Sequence, residues 1–123
     1  MTQSSVAVWF EIPAADLPRA IRFYETVFGT TLKQEKFGPS HLALFPHAPE
    51  QASGCLISGE GYIPSQQGTI TYLHLAEDLA EPLARVPSAG GAVLVPKTSL
   101  PSGGNFAQFR DSEGNRVGLF SLH

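Results

Sequence analysis

Cysteine is almost missing from this chain of 123 residues. Cys55 stands alone, so no disulfide can close within the chain, and the usage suits a reducing compartment. Charge is also sparse: 15% of residues, with a formal net charge of −3. That balance is too weakly basic for a nucleic-acid footprint and too weakly acidic to imply a cationic partner. No apolar run approaches the roughly 18–20 residues that span a bilayer. The first residues, MTQSSV, carry neither the basic nor the apolar region of an export signal. The expectation is a soluble, cytoplasmic protein that works without nucleic acid and without a membrane. The four histidines show no HxH or HxxxH spacing that would build a compact metal site.

What is present is a repeat. Hydrophobic residues make up 42%, enough in a chain of this length for one compact domain with a real core. In VAVWFEIP, the residues Val8, Phe10 and Ile12 alternate with Ala7, Trp9 and Glu11, the period of a half-buried strand. Asp16 follows as a good helix N-cap. Leu17, Ile21, Tyr24, Val27 and Phe28 then fall at helical spacing, and Gly29 is a natural stop. Three strand-like runs come next, TTLKQEKF, HLALFP and GCLIS, separated by turn residues.

The second half says the same again. TITYLHL precedes Asp78 as N-cap, with Glu81 placed for a capping box. Leu79, Leu83 and Val86 form the apolar stripe, and Pro87 is expected to close the helix early, since it has no N–H to offer the carbonyl of Leu83. GAVLVP, NFAQFR and NRVGLF complete the unit, the last two joined by the turn DSEGN. A constant offset pairs Trp9 with Tyr72, Phe10 with Leu73, Glu11 with His74 and Ile12 with Leu75. ALF at Ala43 answers AQF at Ala107, and CLI at Cys55 answers GLF at Gly118. One such unit cannot cover both faces of its own sheet, whereas two can bury a shared cavity. The expected fold is α+β, with two tandem βαβββ modules over about residues 5–58 and 68–121 and a linker at 59–67, forming an open barrel.

The stretches FEIPAADLPRAIRFYETVFG, SAGGAVLVPKT and FRDSEGNRVGLF resemble the vicinal oxygen chelate superfamily, which includes glyoxalase I, bleomycin-resistance proteins and extradiol dioxygenases. The likeness implies the glyoxalase/bleomycin-resistance barrel. It also implies a homodimer, in some members with modules exchanged between chains. One scaffold hosts several chemistries here, so fold does not dictate activity.

Enzymes with this resemblance hold a divalent metal through His, Glu or Gln on four inner strands. Carried over, the four positions fall near Ala7 and Ile70, with Trp9 and Tyr72 as alternatives, and at Cys55 and Gly118. Apart from one thiol, none of these side chains offers a metal ligand, so no metal is expected at the usual corners. Strand alternation points Trp9, Glu11, Tyr72 and His74 into the cavity. Glu11 and His74 are then mates across the repeat and could form an acid–base pair. Trp9 and Tyr72 offer flat walls to an aromatic or unsaturated ligand. His41, Cys55, Asn105 and Phe106 are further candidate ligand contacts. Arg110 and Asp111 flank a turn and could pair, while His47 and His123 read as surface residues.

Two functions follow from these residues. The leading one is binding of a small organic molecule without a cofactor, as in the bleomycin-resistance branch. The other is a glyoxalase-like lyase, isomerase or dioxygenase, using Glu11 and His74 directly or a divalent metal relocated to Glu11, His74 and His41. A structural dimer with a vestigial pocket is the third class.

Overall fold

The computed structural model describes residues 6–123. The order of elements is β1 (Trp9–Pro13), α1 (Leu17–Phe28), β2 (Lys33–Phe37), β3 (Ser40–Leu44), β4 (Ser53–Ser58), β5 (Tyr72–Leu75), α2 (Ala80–Ala89), β6 (Ala92–Ser99), β7 (Asn105–Arg110) and β8 (Arg116–Ser121). They form two four-stranded sheets, ordered β1-β4-β3-β2 and β5-β8-β7-β6. In each, the first strand pairs parallel to the last and the others run antiparallel. The two βαβββ modules expected from the repeat are therefore present. No ladder joins the two sheets among the described residues, so the barrel is open.

Local chemistry explains most boundaries. The Asp16 carboxylate accepts the N–H of Arg19 at 3.1 Å and starts α1, and Gly29 ends it in the left-handed region at φ 62°, which favours glycine. The second helix ends at Gly90-Gly91 as expected, but departs from expectation at its start and in its passage through Pro87. Asp78 caps only the N–H of Ala80, at 2.9 Å, while also accepting Lys97 Nζ at 2.8 Å, and no capping box with Glu81 forms. Pro87 does not close α2 early: the helix runs through it to Ala89. The proline lies in the last turn and costs one backbone bond there, and Gly90 and Gly91 satisfy the carbonyls of Pro87 and Val86 instead.

A single core runs through both modules. Phe23 and Tyr24 of α1 are buried, and both rings pack on Phe109 of β7, at 5.8 and 6.3 Å between centroids. Above this core, the turn after β7 is pinned to the first module. Asp111 is buried and accepts the Tyr24 hydroxyl at 2.7 Å, the backbone N–H groups of Glu113 and Asn115, and the Asn115 amide. Asn115 in turn donates to the carbonyl of Pro13 at 2.7 Å. Glu113 accepts two hydrogen bonds from the Arg19 guanidinium and one from the N–H of Asp16. Asp111 therefore does not pair with Arg110; its neighbours in space are on α1. Burial pushes the Tyr24 hydroxyl well above the ordinary tyrosine range, and the Asp111 carboxylate adds to that shift.

The expected constant offset holds for part of the repeat only. Cys55 and Gly118 are indeed counterparts, as are Ala43 and Ala107: Ala43 pairs with Leu56, and Ala107 with Leu119. The first strands are displaced. Cys55 pairs with Glu11, whereas Gly118 pairs with Tyr72. The positional mate of Glu11 is therefore Tyr72, two residues before His74. Matching by hydrophobic alternation cannot detect a slip of two, because it leaves every side chain on its original face.

Candidate functional site

Paired residues in a ladder share a face, so the registers sort the side chains. In the first module, Phe10 and Ile12 face the core with Ala43 and Leu56, leaving Trp9, Glu11 and Cys55 on the other face. In the second, Leu73 and Leu75 pack against the core, and Tyr72, His74, Phe106, Gln108, Arg116, Gly118 and Phe120 share the other face. The expected alternation is present in both first strands.

Where these strands approach one another, a cavity of about 710 Å³ opens. It is lined by Trp9, Phe10, Phe28, Phe45 and Ile70, and by β5 from Tyr72 to Leu75. A space of this size and apolar character suits a drug-sized organic molecule. Trp9 and Tyr72, both 44% exposed, are among its lining residues.

The four remaining candidates scatter. Cys55 is fully buried beside Glu11, and its thiol is pushed up to about 11 by burial and then by the Glu11 carboxylate, with the Trp9 side chain opposing. It is a packed thiol, held protonated near neutral pH. Phe106 lies against Tyr72, with rings edge-on at 6.3 Å. Asn105 belongs to the opposite face of β7, where Ser99 donates to its side-chain oxygen at 3.3 Å. His41 pairs with Ser58 and so faces the helix side, in a separate cavity beside the start of α1. The parity of the strand thus turns this candidate contact away from the large cavity.

Glu11 and His74 are not brought together. Glu11 lines a third, small depression with Asn115 and Arg116, while His74 lines the large cavity and packs on Phe120 at 6.0 Å. No hydrogen bond or ion pair links them in the chain. The relocated trio of Glu11, His74 and His41 is likewise not assembled, since His41 is on the far face. Among the described residues, no group of three or more His, Cys, Asp or Glu side chains could hold a metal ion.

The space above Gly118 is filled from the neighbouring strand. A Cβ at this position would overlap the Tyr72 ring. Tyr72, Gly118 and Gln108 are neighbours across three strands, and the bare glycine lets the tyrosine reach over it. Gln108 Nε2 lies 2.6 Å from the Tyr72 hydroxyl, and Arg116 Nη1 lies 2.6 Å from Gln108 Oε1. Gln108 and Arg116 were not singled out from the sequence. The signal for Gln108 was available in its place opposite Gly118, within the AQF that answers ALF. His47 was expected only at the surface; it is exposed, and its ring also stands edge-on to Trp9 at 6.4 Å.

The family profile described as Glyoxalase/Bleomycin resistance protein/Dioxygenase superfamily matches residues 7–119. No curated protein sequence matches the chain. Among solved structures, a glyoxalase I mutant from Zea mays superposes with a TM-score of 0.68 at 22% identity, covering 93% of this chain. This chain spans only 45% of that maize protein. A glyoxalase/bleomycin resistance protein from Albidiferax ferrireducens T118 matches with a TM-score of 0.69 at 14% identity, over 95% of this chain and 98% of that one. TnmS3, an antibiotic binding protein from Streptomyces sp. CB03234, matches at 0.65 and 24% identity, over 100% and 99% of the two chains. At these identities the structural likeness establishes the fold alone.

Proposed function

The chain belongs to the Glyoxalase/Bleomycin resistance protein/Dioxygenase superfamily, and from that premise we propose that it binds a small, flat, largely apolar organic molecule between its two modules, without the divalent metal of the family's enzymes. The observation that carries the reading is the cavity of about 710 Å³ walled by Trp9 and Tyr72. The residues present do not fit the family metal: the corner at Gly118 is covered by an aromatic ring, and the buried Cys55 thiol has Glu11 beside it but, among the described residues, belongs to no group of three or more ligand side chains. An antibiotic binding protein of nearly the same length shares the fold, which supports binding as a use of this scaffold. The reading includes a homodimer acting in the cytoplasm.

Two measurements test it. Flat aromatic compounds screened by thermal shift should raise the melting temperature, since a ligand at 100 times its Kd stabilises by about 2.7 kcal/mol. Elemental analysis before and after chelator treatment should find no stoichiometric Zn, Ni, Mn or Fe. A bound metal at one per chain, lost together with the ligand response on chelation, would reverse the reading.

A further inference from the structure

Independently of what fills the large cavity, we propose that the separate cavity between the start of α1 and the strands β2, β3 and β4 binds a phosphate group through Lys36, His41 and Ser58.

The ladders place these three side chains on one face. Lys36 pairs with His41, and His41 with Ser58. Two residues along each strand lies the row Gln34, Ala43 and Leu56, whose last two members are in the core. Side chains two apart share a face, so the polar row points to the helix side. On that side lies a cavity of about 620 Å³, lined by Lys36, His41 and Ser58 and by α1 from its cap Asp16 to Pro18. Register and lining therefore agree. Neighbouring strands lie about 4.8 Å apart, so the row is about 10 Å wide with the imidazole in its middle. The large cavity meets the other end of α1, at Phe28 and Thr30.

All three groups donate hydrogen bonds. Lys36 brings a full charge, His41 a ring N–H in either protonation state, and Ser58 a hydroxyl. The ion pairs among the described residues are Arg19–Glu113, Lys33–Glu35 and Lys97–Asp78, so none engages Lys36 or His41. Two acids line the same space, and both are engaged elsewhere. The Asp16 carboxylate accepts the N–H of Arg19 at 3.1 Å. Glu35 belongs to the other face of β2 and lies 3.4 Å from Lys33. Basic side chains set directly across a ladder repel when both are charged, and an anion between them removes that cost. Phosphate suits the row better than a carboxylate, because it carries more charge and has an acceptor oxygen for each donor.

The four histidines of the chain provide the readout and its internal controls. Ring signals are followed by NMR at fixed ionic strength and about pH 7.5, where phosphate is mostly dianionic. Inorganic phosphate should move the His41 signals, identified by their loss in His41→Asn, along a saturable curve. The signals of His47, His74 and His123 should stay in place. Acetate at the same ionic strength should move His41 far less. Lys36→Gln should weaken phosphate binding about tenfold, the worth of one charge-assisted hydrogen bond. Lys97→Gln removes the same charge from the other module and should leave binding unchanged. Phenyl phosphate distinguishes the source: tighter binding than inorganic phosphate supports an organic phosphate ester, and equal binding supports the free ion. A shift that never saturates, that all four histidines share, that acetate equals, or that survives Lys36→Gln shows an adventitious ion only. Any of these overturns the inference and leaves the reading of the large cavity standing.

Discussion

Tyr72 reaches across Gly118 because Gly118 has no side chain. The ring occupies the volume a Cβ would need there, and its hydroxyl meets Gln108 on the next strand. This relationship fills the space above Gly118 and ties three strands together through one polar contact.

Gly118→Ala should therefore destabilise the protein by about 1–3 kcal/mol, the usual cost of overpacking. In a Tyr72→Ala background the same substitution should cost much less. Denaturant unfolding of the four proteins in the cycle measures the coupling; strict additivity would show that the ring and the glycine do not compete for space.

Tyr24→Phe removes one of the donors to the buried Asp111 carboxylate and leaves the others in place. The expected loss is about 1–2 kcal/mol, seen as a lower urea midpoint with an unchanged slope. An unaltered midpoint would mean that the contact between α1 and the turn contributes nothing net.

Glu113 supplies a pH dependence. Burial alone pushes its carboxyl up, but hydrogen bonds from Arg19, the Asp16 N–H and the Ser112 hydroxyl together hold it below the ordinary glutamate range. A carboxylate with a depressed folded-state pKa contributes stability above its unfolded value and loses it as pH falls through the folded one. Unfolding free energy should thus decline between about pH 5 and pH 3, and Glu113→Gln should flatten part of that decline. At neutral pH the variant should cost about 1 kcal/mol, because solvent screens the half-exposed Arg19.

Cys55 should resist thiol reagents in the folded protein. Its thiol is pushed up to about 11, so little thiolate exists near neutral pH, and the sulfur has no solvent exposure. Labelling at about pH 8 should be slow natively and fast in denaturant, and Trp9→Ala should accelerate the native reaction by uncovering the site. Fast labelling of the native wild type would contradict the burial.

His74 and Glu11 should separate in binding experiments. His74 lines the large cavity and Glu11 does not, so His74→Ala should weaken fluorene binding several-fold while Glu11→Gln leaves it within error. Equal losses in both variants would indicate that the two residues act at one site.

Much of this architecture is readable from the residues. Asp16 and Gly29 bracket α1 as their side-chain chemistry requires, and the alternation of Trp9 to Ile12 and of Tyr72 to Leu75 sorts both strands onto the correct faces. Pairing across the repeat is where pattern reasoning stops. A two-residue slip preserves alternation, so nothing in the hydrophobic pattern separates His74 from Tyr72 as the mate of Glu11. The place of His41 failed for the converse reason: the parity of β3 is set by its pairing with β4, which brings Ala43 into the core and turns His41 to the helix side. Arg116 was silent because its role depends on a contact between three strands, and Gln108 was marked only by its place in the AQF that answers ALF.

That same slip means the halves of this molecule no longer mirror one another. One inner face carries an indole beside a dry thiol, and the other a phenol tethered through an amide to an arginine. One repeated frame thus displays two unlike chemistries.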